Sequence, residues 1–126
     1  MSVLLLATPF SASDGSDISV RTLAAYIEGT GEKLDLASMT AVGAVIVNRC
    51  STDGFPASVT SNGAALGIIP SPSPSEMAMY AARLAASGFD PTGGAVYMFS
   101  RSESSAPQNR DKHVVYAVGD LCFATG

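Results

Sequence analysis

This chain has no tryptophan, a single histidine, His113, and only two cysteines, Cys50 and Cys122, in 126 residues. Each scarcity excludes a class of function. Without tryptophan, the strongest stacking platform for sugar rings and nucleobases is missing. Two cysteines are too few for a disulfide framework, and their default state is free and buried. One histidine with no Cys/His cluster cannot build a zinc centre, so no metal and no cofactor is expected. A Ser-His-Asp triad would have only His113 to draw on, and no Gly-x-Ser-x-Gly elbow is present.

Charge is also sparse. Charged residues make up 14% of the chain, with a net charge of −4 and a pI near 4.6. No basic patch can form that would displace the counterions of a duplex, which excludes nucleic acid as a partner. No apolar run approaches the roughly 20 residues of a membrane span. The opening Val3-Leu4-Leu5-Leu6-Ala7 admits two readings. It is either the apolar region of a signal peptide, cut near Ser11-Ala12-Ser13, or an arm that docks on this domain or a neighbouring subunit. The lack of a basic leader favours an arm over residues 1–16, followed by one domain over residues 17–126. A hydrophobic content of 47% suffices for a single core in that domain.

Periodicity places three helices. The first spans about residues 17–28, with Val20, Leu23, Ala24 and Ile27 on one face and Asp17 as cap. Gly29 and Gly31 end it. The second spans about residues 35–49, with Met39, Val42 and Ile46 on one face. Gly43 lies inside it, where glycine costs roughly 1 kcal/mol against alanine, so a close approach of another backbone is expected there. Ser73-Pro74-Ser75-Glu76 reads as a capping box opening a third helix, whose face is Met77, Tyr80, Ala81 and Leu84 and whose stop is Gly88. Residues 58–72, rich in Ser, Gly and Pro, read as a loop beside a cleft. The turn cluster Asp90-Pro91-Thr92-Gly93-Gly94 then precedes strands at residues 95–99, 114–118 and 121–123. The fold class expected is α+β, about three helices packed beside a small antiparallel sheet.

The densest chemistry is Glu28-Gly29-Thr30-Gly31-Glu32. A carboxylate ending a helix and followed by glycine can face a cleft, because glycine leaves no side chain to block a substrate. A proton donor needs partly apolar walls, and Tyr26, Ile27, Tyr97 and Phe99 are the nearest candidates. Asn48 is either a helix cap or a donor to an acetamido sugar. Arg49 is expected to pair with helix carbonyls or with an acid such as Asp90, and Asp90-Pro91-Thr92 to serve its own turn.

In order and spacing, these blocks resemble the cell wall hydrolase family typified by bacterial spore cortex-lytic enzymes. The family's Glu-x-x-Gly-Glu stands here as Glu28 to Glu32, and its apolar helix closed by Asn-Arg as Val42-Gly43-Ala44-Val45-Ile46-Val47-Asn48-Arg49. Gly54-Phe55-Pro56 matches a Phe-Pro, and Asp90-Pro91-Thr92-Gly93-Gly94-Ala95-Val96-Tyr97 the longest block. Val118-Gly119 and Phe123 match the closing motif. The chain departs at Leu121, where the family usually has histidine, at Thr30, where it has a basic residue, and in the shortened segment 57–72.

The resemblance implies a lysozyme-like domain that cleaves the MurNAc-GlcNAc bond of peptidoglycan glycan strands as a lytic transglycosylase, with Glu28 as the catalytic acid and base. It implies substrate binding by Glu32, Asn48, Tyr97 and Phe99. An ordinary glycosidase would need a second carboxylate about 5–5.5 Å away for retention or about 6.5–9.5 Å away for inversion, and Glu32 is the nearest in sequence. The alternative is a catalytically silent structural or peptidoglycan-binding subunit of a phage tail or similar assembly, favoured by Leu121 and the shortened segment. Delivery by phage, as an endolysin or within the virion, is the setting expected first. Secretion to the periplasm or beyond is the second.

Overall fold

The structure is a computed structural model that describes residues 13–31 and 34–126. The apolar run at residues 3–10 and Glu32 lie outside the described residues. Four helices precede a three-stranded sheet: α1 (Ser13–Thr30), α2 (Leu36–Asp53), α3 (Val59–Ala65), α4 (Glu76–Ala86), then β1 (Tyr97–Ser100), β2 (His113–Val118) and β3 (Leu121–Thr125). None of the described helices is long and apolar enough to cross a membrane.

α1 starts at Ser13 rather than Asp17, so it takes in residues assigned to the arm. Several residues there are of capping type, and composition alone does not choose among them. The helix also continues past Glu28, because Thr30 donates its hydroxyl to the Tyr26 carbonyl at 3.0 Å and closes one more turn. Gly29 is therefore an interior residue and not the stop. α2 begins as expected: Asp35 accepts from the Ser38 amide at 2.8 Å, and that bond holds the Asp35 carboxyl below its ordinary value. It runs on to Asp53, ending only where Gly54 turns to φ 100°.

α4 corrects two expectations. Its cap is Ser75, whose hydroxyl accepts from the Ala78 amide at 3.1 Å, so Pro74 stands just before the cap and Ser73 outside it. Its buried face is Ala78, Ala81, Ala82 and Ala85, while Met77 and Tyr80 are about half exposed, at 48% and 52%. Those alanines recur at i, i+3, i+4 and i+7, a second apolar stripe made of methyls. The small stripe prevails because the helices meet too closely for larger groups. A methyl on Gly43 would stand 3.0 Å from the Ala85 Cβ and 3.0 Å from Ile27 Cδ1. A close approach is thus present at Gly43, but it is made by the side chains of Ala85 and Ile27 and not by another backbone.

Residues 58–72 are not a continuous loop, since α3 occupies Val59–Ala65. Serine and glycine weaken its intrinsic propensity, and burial of Val59, Asn62 and Gly63 overrides them. The sheet is antiparallel with order β1-β3-β2. β3 pairs Ala124 with Tyr97 and Cys122 with Phe99 on one side, and Phe123 with Tyr116 on the other. A bulge between Val114 and Tyr116 re-aims β2. Phe123 is fully buried and joins Leu23, Ile27, Val42, Val45 and Ile46 in the main core. Cys122 and Ala124 point to the opposite face and pack with Phe99. Both cysteines are free and buried.

Candidate active site

Glu28 lies in the last turn of α1 and is half-buried. Its Oε1 accepts a hydrogen bond from the Ser75 amide at 3.0 Å, which ties the end of α1 to the start of α4. In a capping box, the cap amide is satisfied by a Glu or Gln three residues into the same helix. That position in α4 is Ala78, which has no acceptor, so Glu28 supplies the carboxylate from another helix. The box is completed in space instead of in sequence. Oε2 has no partner among the described residues, so the carboxylate is held by one oxygen and presents the other.

The segment between α3 and α4 is laid along α1 by three further contacts. Ile68 is buried, the Ser71 amide donates to the Ala25 carbonyl at 2.9 Å, and the Ile69 carbonyl rests on Gly29. A Cβ on Gly29 would overlap that carbonyl oxygen. Gly63 does the same in α3, because the ring of Tyr26 covers it with no room for a methyl. These two glycines let residues 63–75 close over α1 and bring the Ser75 amide to Glu28.

A second group gathers around the start of β1. Asp90 accepts from the Thr92 amide at 2.8 Å, the Thr92 hydroxyl at 2.6 Å, the Gly94 amide at 2.8 Å and Asn48 Nδ2 at 2.9 Å. Burial pushes its carboxyl up, but the bonds from Thr92, Asn48 and Gly94 outweigh it and hold the group below its ordinary value. The turn reading of Asp90-Pro91-Thr92 is therefore correct.

Asn48 is neither a cap nor a free donor. Its amide donates to Asp90 and to the Ala95 carbonyl at 3.0 Å, which commits the NH2 to the turn and makes Asn48 a positioning residue. Arg49 does not pair with Asp90. It donates to Asn62 Oδ1 at 3.2 Å and to the Val96 carbonyl at 2.8 Å.

The aromatic walls expected for Glu28 are dispersed. Ile27 is fully buried in the main core. Phe99, 8% exposed, is packed on Cys122 and Ala124 and shows no open face to a sugar. Tyr97 carries Arg49 at 5.8 Å and Lys112 at 4.6 Å over its ring. Tyr26, at 5% exposure, comes nearest to the expectation, since it lines a depression beside Pro74. Side-chain identity suggested these aromatics, but strand alternation and helix phase decide which way each one faces.

Sequence reasoning missed Ser75, whose amide is the partner of Glu28. The signal was present: a cap serine with no acid three residues on needs an acceptor from elsewhere. It also missed a cavity of about 400 Å³ where Tyr80, Phe89 and Tyr116 meet Leu36, Leu84 and Pro91. Three aromatics there offer stacking faces in a chain that has no tryptophan.

The family model for cell wall hydrolases matches residues 35–124, and Glu28 lies just ahead of that match. Among solved structures, the catalytic domain of the Bacillus cereus SleB protein is 25% identical over 94% of each chain, with a TM-score of 0.70. The catalytic domain of the germination-specific lytic transglycosylase SleB from Bacillus anthracis is 23% identical over 95% of this chain and 100% of that one, with a TM-score of 0.67. No curated protein sequence matches the chain significantly. The α+β architecture is thus the lysozyme-like one of the SleB catalytic domain.

Proposed function

We propose that this chain, which belongs to the cell wall hydrolase family, cuts peptidoglycan glycan strands between N-acetylmuramic acid and N-acetylglucosamine as a lytic transglycosylase. One observation carries the reading: the Glu28 carboxylate is fixed through Oε1 to the Ser75 amide and keeps Oε2 for the substrate. In the first half-reaction, a protonated Glu28 gives its proton to the glycosidic oxygen as the bond to muramyl C1 breaks, so the glucosamine leaves with a 4-hydroxyl. In the second, the carboxylate removes the proton from the muramyl 6-hydroxyl as that oxygen bonds to C1 and closes a 1,6-anhydro ring. The residue ends protonated, and no water is consumed. One well-held carboxylate is sufficient for this chemistry, whereas hydrolysis asks for a second at defined spacing. Asp90 is a poor second, because four bonds commit it to its turn.

The cavity bounded by Tyr80, Phe89 and Tyr116 would give sugar rings the stacking surface that tryptophan supplies elsewhere. The relatives' names belong to germination, not to phage tails, so a virion setting gains nothing from them. The test is release of muropeptides from purified peptidoglycan. Wild type should give fragments ending in 1,6-anhydromuramic acid, and Glu28→Gln should give none while keeping its circular dichroism, because glutamine preserves shape but delivers no proton. Wild-type rates from Glu28→Gln would remove Glu28 from the mechanism. Reducing muramic ends from wild type would turn the enzyme into a hydrolase.

A further inference from the structure

Beside Glu28, a depression of about 320 Å³ is bounded by Arg21, Ala25 and Tyr26 of α1, Thr60 of α3 and the proline-rich segment 70–74. Two links place it near Glu28, which does not itself line it. Arg21, Ala25 and Glu28 stand at i, i+4 and i+7 on one face of α1, and Pro74 immediately precedes the Ser75 amide that holds Glu28.

Two polar groups lining it have no partner among the side chains described. Arg21 is exposed and makes no ion pair or hydrogen bond with any residue whose side chain the structure describes, in a chain with 11 acids to 7 cations. Tyr26 is 5% exposed, yet its phenol oxygen has no hydrogen-bond partner among the described residues. Buried tyrosine hydroxyls are ordinarily paired, because an unpaired one forfeits its bond to water. The glycine beneath its ring, Gly63, fixes the ring in this position at the cost of helix propensity. The rest of the surface mixes the apolar Ala25 and three prolines with Thr22, Thr60 and Ser71.

We infer that this depression is a subsite for the peptide stem of the muramyl residue beside the scissile bond, with Arg21 pairing a stem carboxylate and the Tyr26 hydroxyl bonding a stem amide carbonyl. The inference rests on the proposed action on peptidoglycan and adds what that action selects. Besides neutral hydroxyls and acetamido groups, a bare glycan strand has only the lactyl carboxylate fixed on each muramic ring, and in a stem-bearing residue that group is consumed in the amide to the peptide. A stem brings a carboxylate for the guanidinium, alanine methyls for the proline and Ala25 surface, and peptide carbonyls for the phenol.

The experiment compares two probes on Glu28→Gln protein, which binds without cutting: a disaccharide-tetrapeptide muropeptide and the same disaccharide without its peptide, its lactyl carboxyl capped as the neutral methylamide. Calorimetric titration should show the peptide-bearing probe binding about tenfold more tightly. The ratio should fall to near one in Arg21→Gln, invert in Arg21→Glu, and drop severalfold in Tyr26→Phe, with folding verified by circular dichroism. Equal binding of both probes by the parent protein, or a ratio unmoved in Arg21→Gln, overturns the subsite. Cleavage of peptidoglycan is measured separately. A protein that cleaves but shows no preference loses the subsite and keeps the activity, and one that shows the preference but never cleaves keeps the subsite and loses the activity.

Discussion

Replacing Gly29 by alanine sets two physical effects against each other. Gly29 lies in the last turn of α1 at a backbone conformation open to any residue, so alanine should gain up to about 1 kcal/mol of helix propensity. The added methyl, however, would occupy the space of the Ile69 carbonyl oxygen, with the Ile69 carbonyl carbon at 3.0 Å and Ile68 Cγ2 at 3.2 Å. Backbone cannot rotate away as a side chain end can, and overpacking of this kind costs about 1–3 kcal/mol. The contact should win, giving a net loss of about 1–2 kcal/mol after the propensity gain is subtracted. Urea unfolding would read this directly, and the melting temperature should fall by roughly 4 °C for each kcal/mol. Gly31→Ala is the internal control, because a methyl there meets only Leu34 Cγ at 3.5 Å, an ordinary contact. The displaced segment also carries the Ser75 amide, so Gly29→Ala should lower the cleavage rate by about tenfold or more through misplacement of Glu28. A Gly29→Ala protein as stable as wild type, or more so, would refute the clash and with it the account of how the segment is held.

Three further outcomes follow from the geometry. Asp90→Ala strips the acceptor from four donors, the Thr92 amide and hydroxyl, the Gly94 amide and Asn48, and should cost on the order of 4 kcal/mol at about 1 kcal/mol per bond, measured by denaturant unfolding. The folded Asp90 carboxyl is held below its ordinary value of 3.8. Its contribution is therefore fully present above that value and is lost as pH falls through the lower folded value. Asp90→Asn should lack this acid-side decline in stability, and an identical decline in the variant would exclude Asp90 as its source. Ser75→Ala removes the α4 cap and should cost about 1 kcal/mol by thermal unfolding. If Ser75→Ala instead left the midpoint unmoved, the cap reading would fail.

Where a residue's role was set by its neighbours in sequence, it was legible before any coordinates. The start of the second helix near residue 35, the Asp90-Pro91-Thr92 turn and the packing need at Gly43 are of this kind, because each depends on groups within a few residues or on a propensity deficit. The motif order also marked the family. What could not be read was set by elements far apart in the chain. α4 carries two apolar stripes, and only the spacing of helices against Gly43 decides that the alanines turn inward and Met77 and Tyr80 outward. α3 forms despite poor propensity because Tyr26 covers it. The partner of Glu28 lies 47 residues on, and the acid at Glu76 draws the expected cap two residues early, to Ser73. Asn48 offered two local roles, and a contact with Asp90 across 42 residues took the place of both.

The strand order has a consequence for how this domain opens. β1 and β2 never pair with each other, and each is bonded only to β3. β3 therefore acts as a hub whose backbone groups are engaged along both edges, while each outer strand keeps one edge without a neighbouring strand among the described residues. Loss of β1 leaves the β2-β3 hairpin and loss of β2 leaves the β1-β3 pair, but loss of β3 dissolves the sheet and withdraws Phe123 from the helical core. Amide protons in β3 should accordingly exchange with solvent only through global unfolding, and those of β1 and β2 through smaller, separate openings. The chain's slowest clock is then placed at residues 121–125.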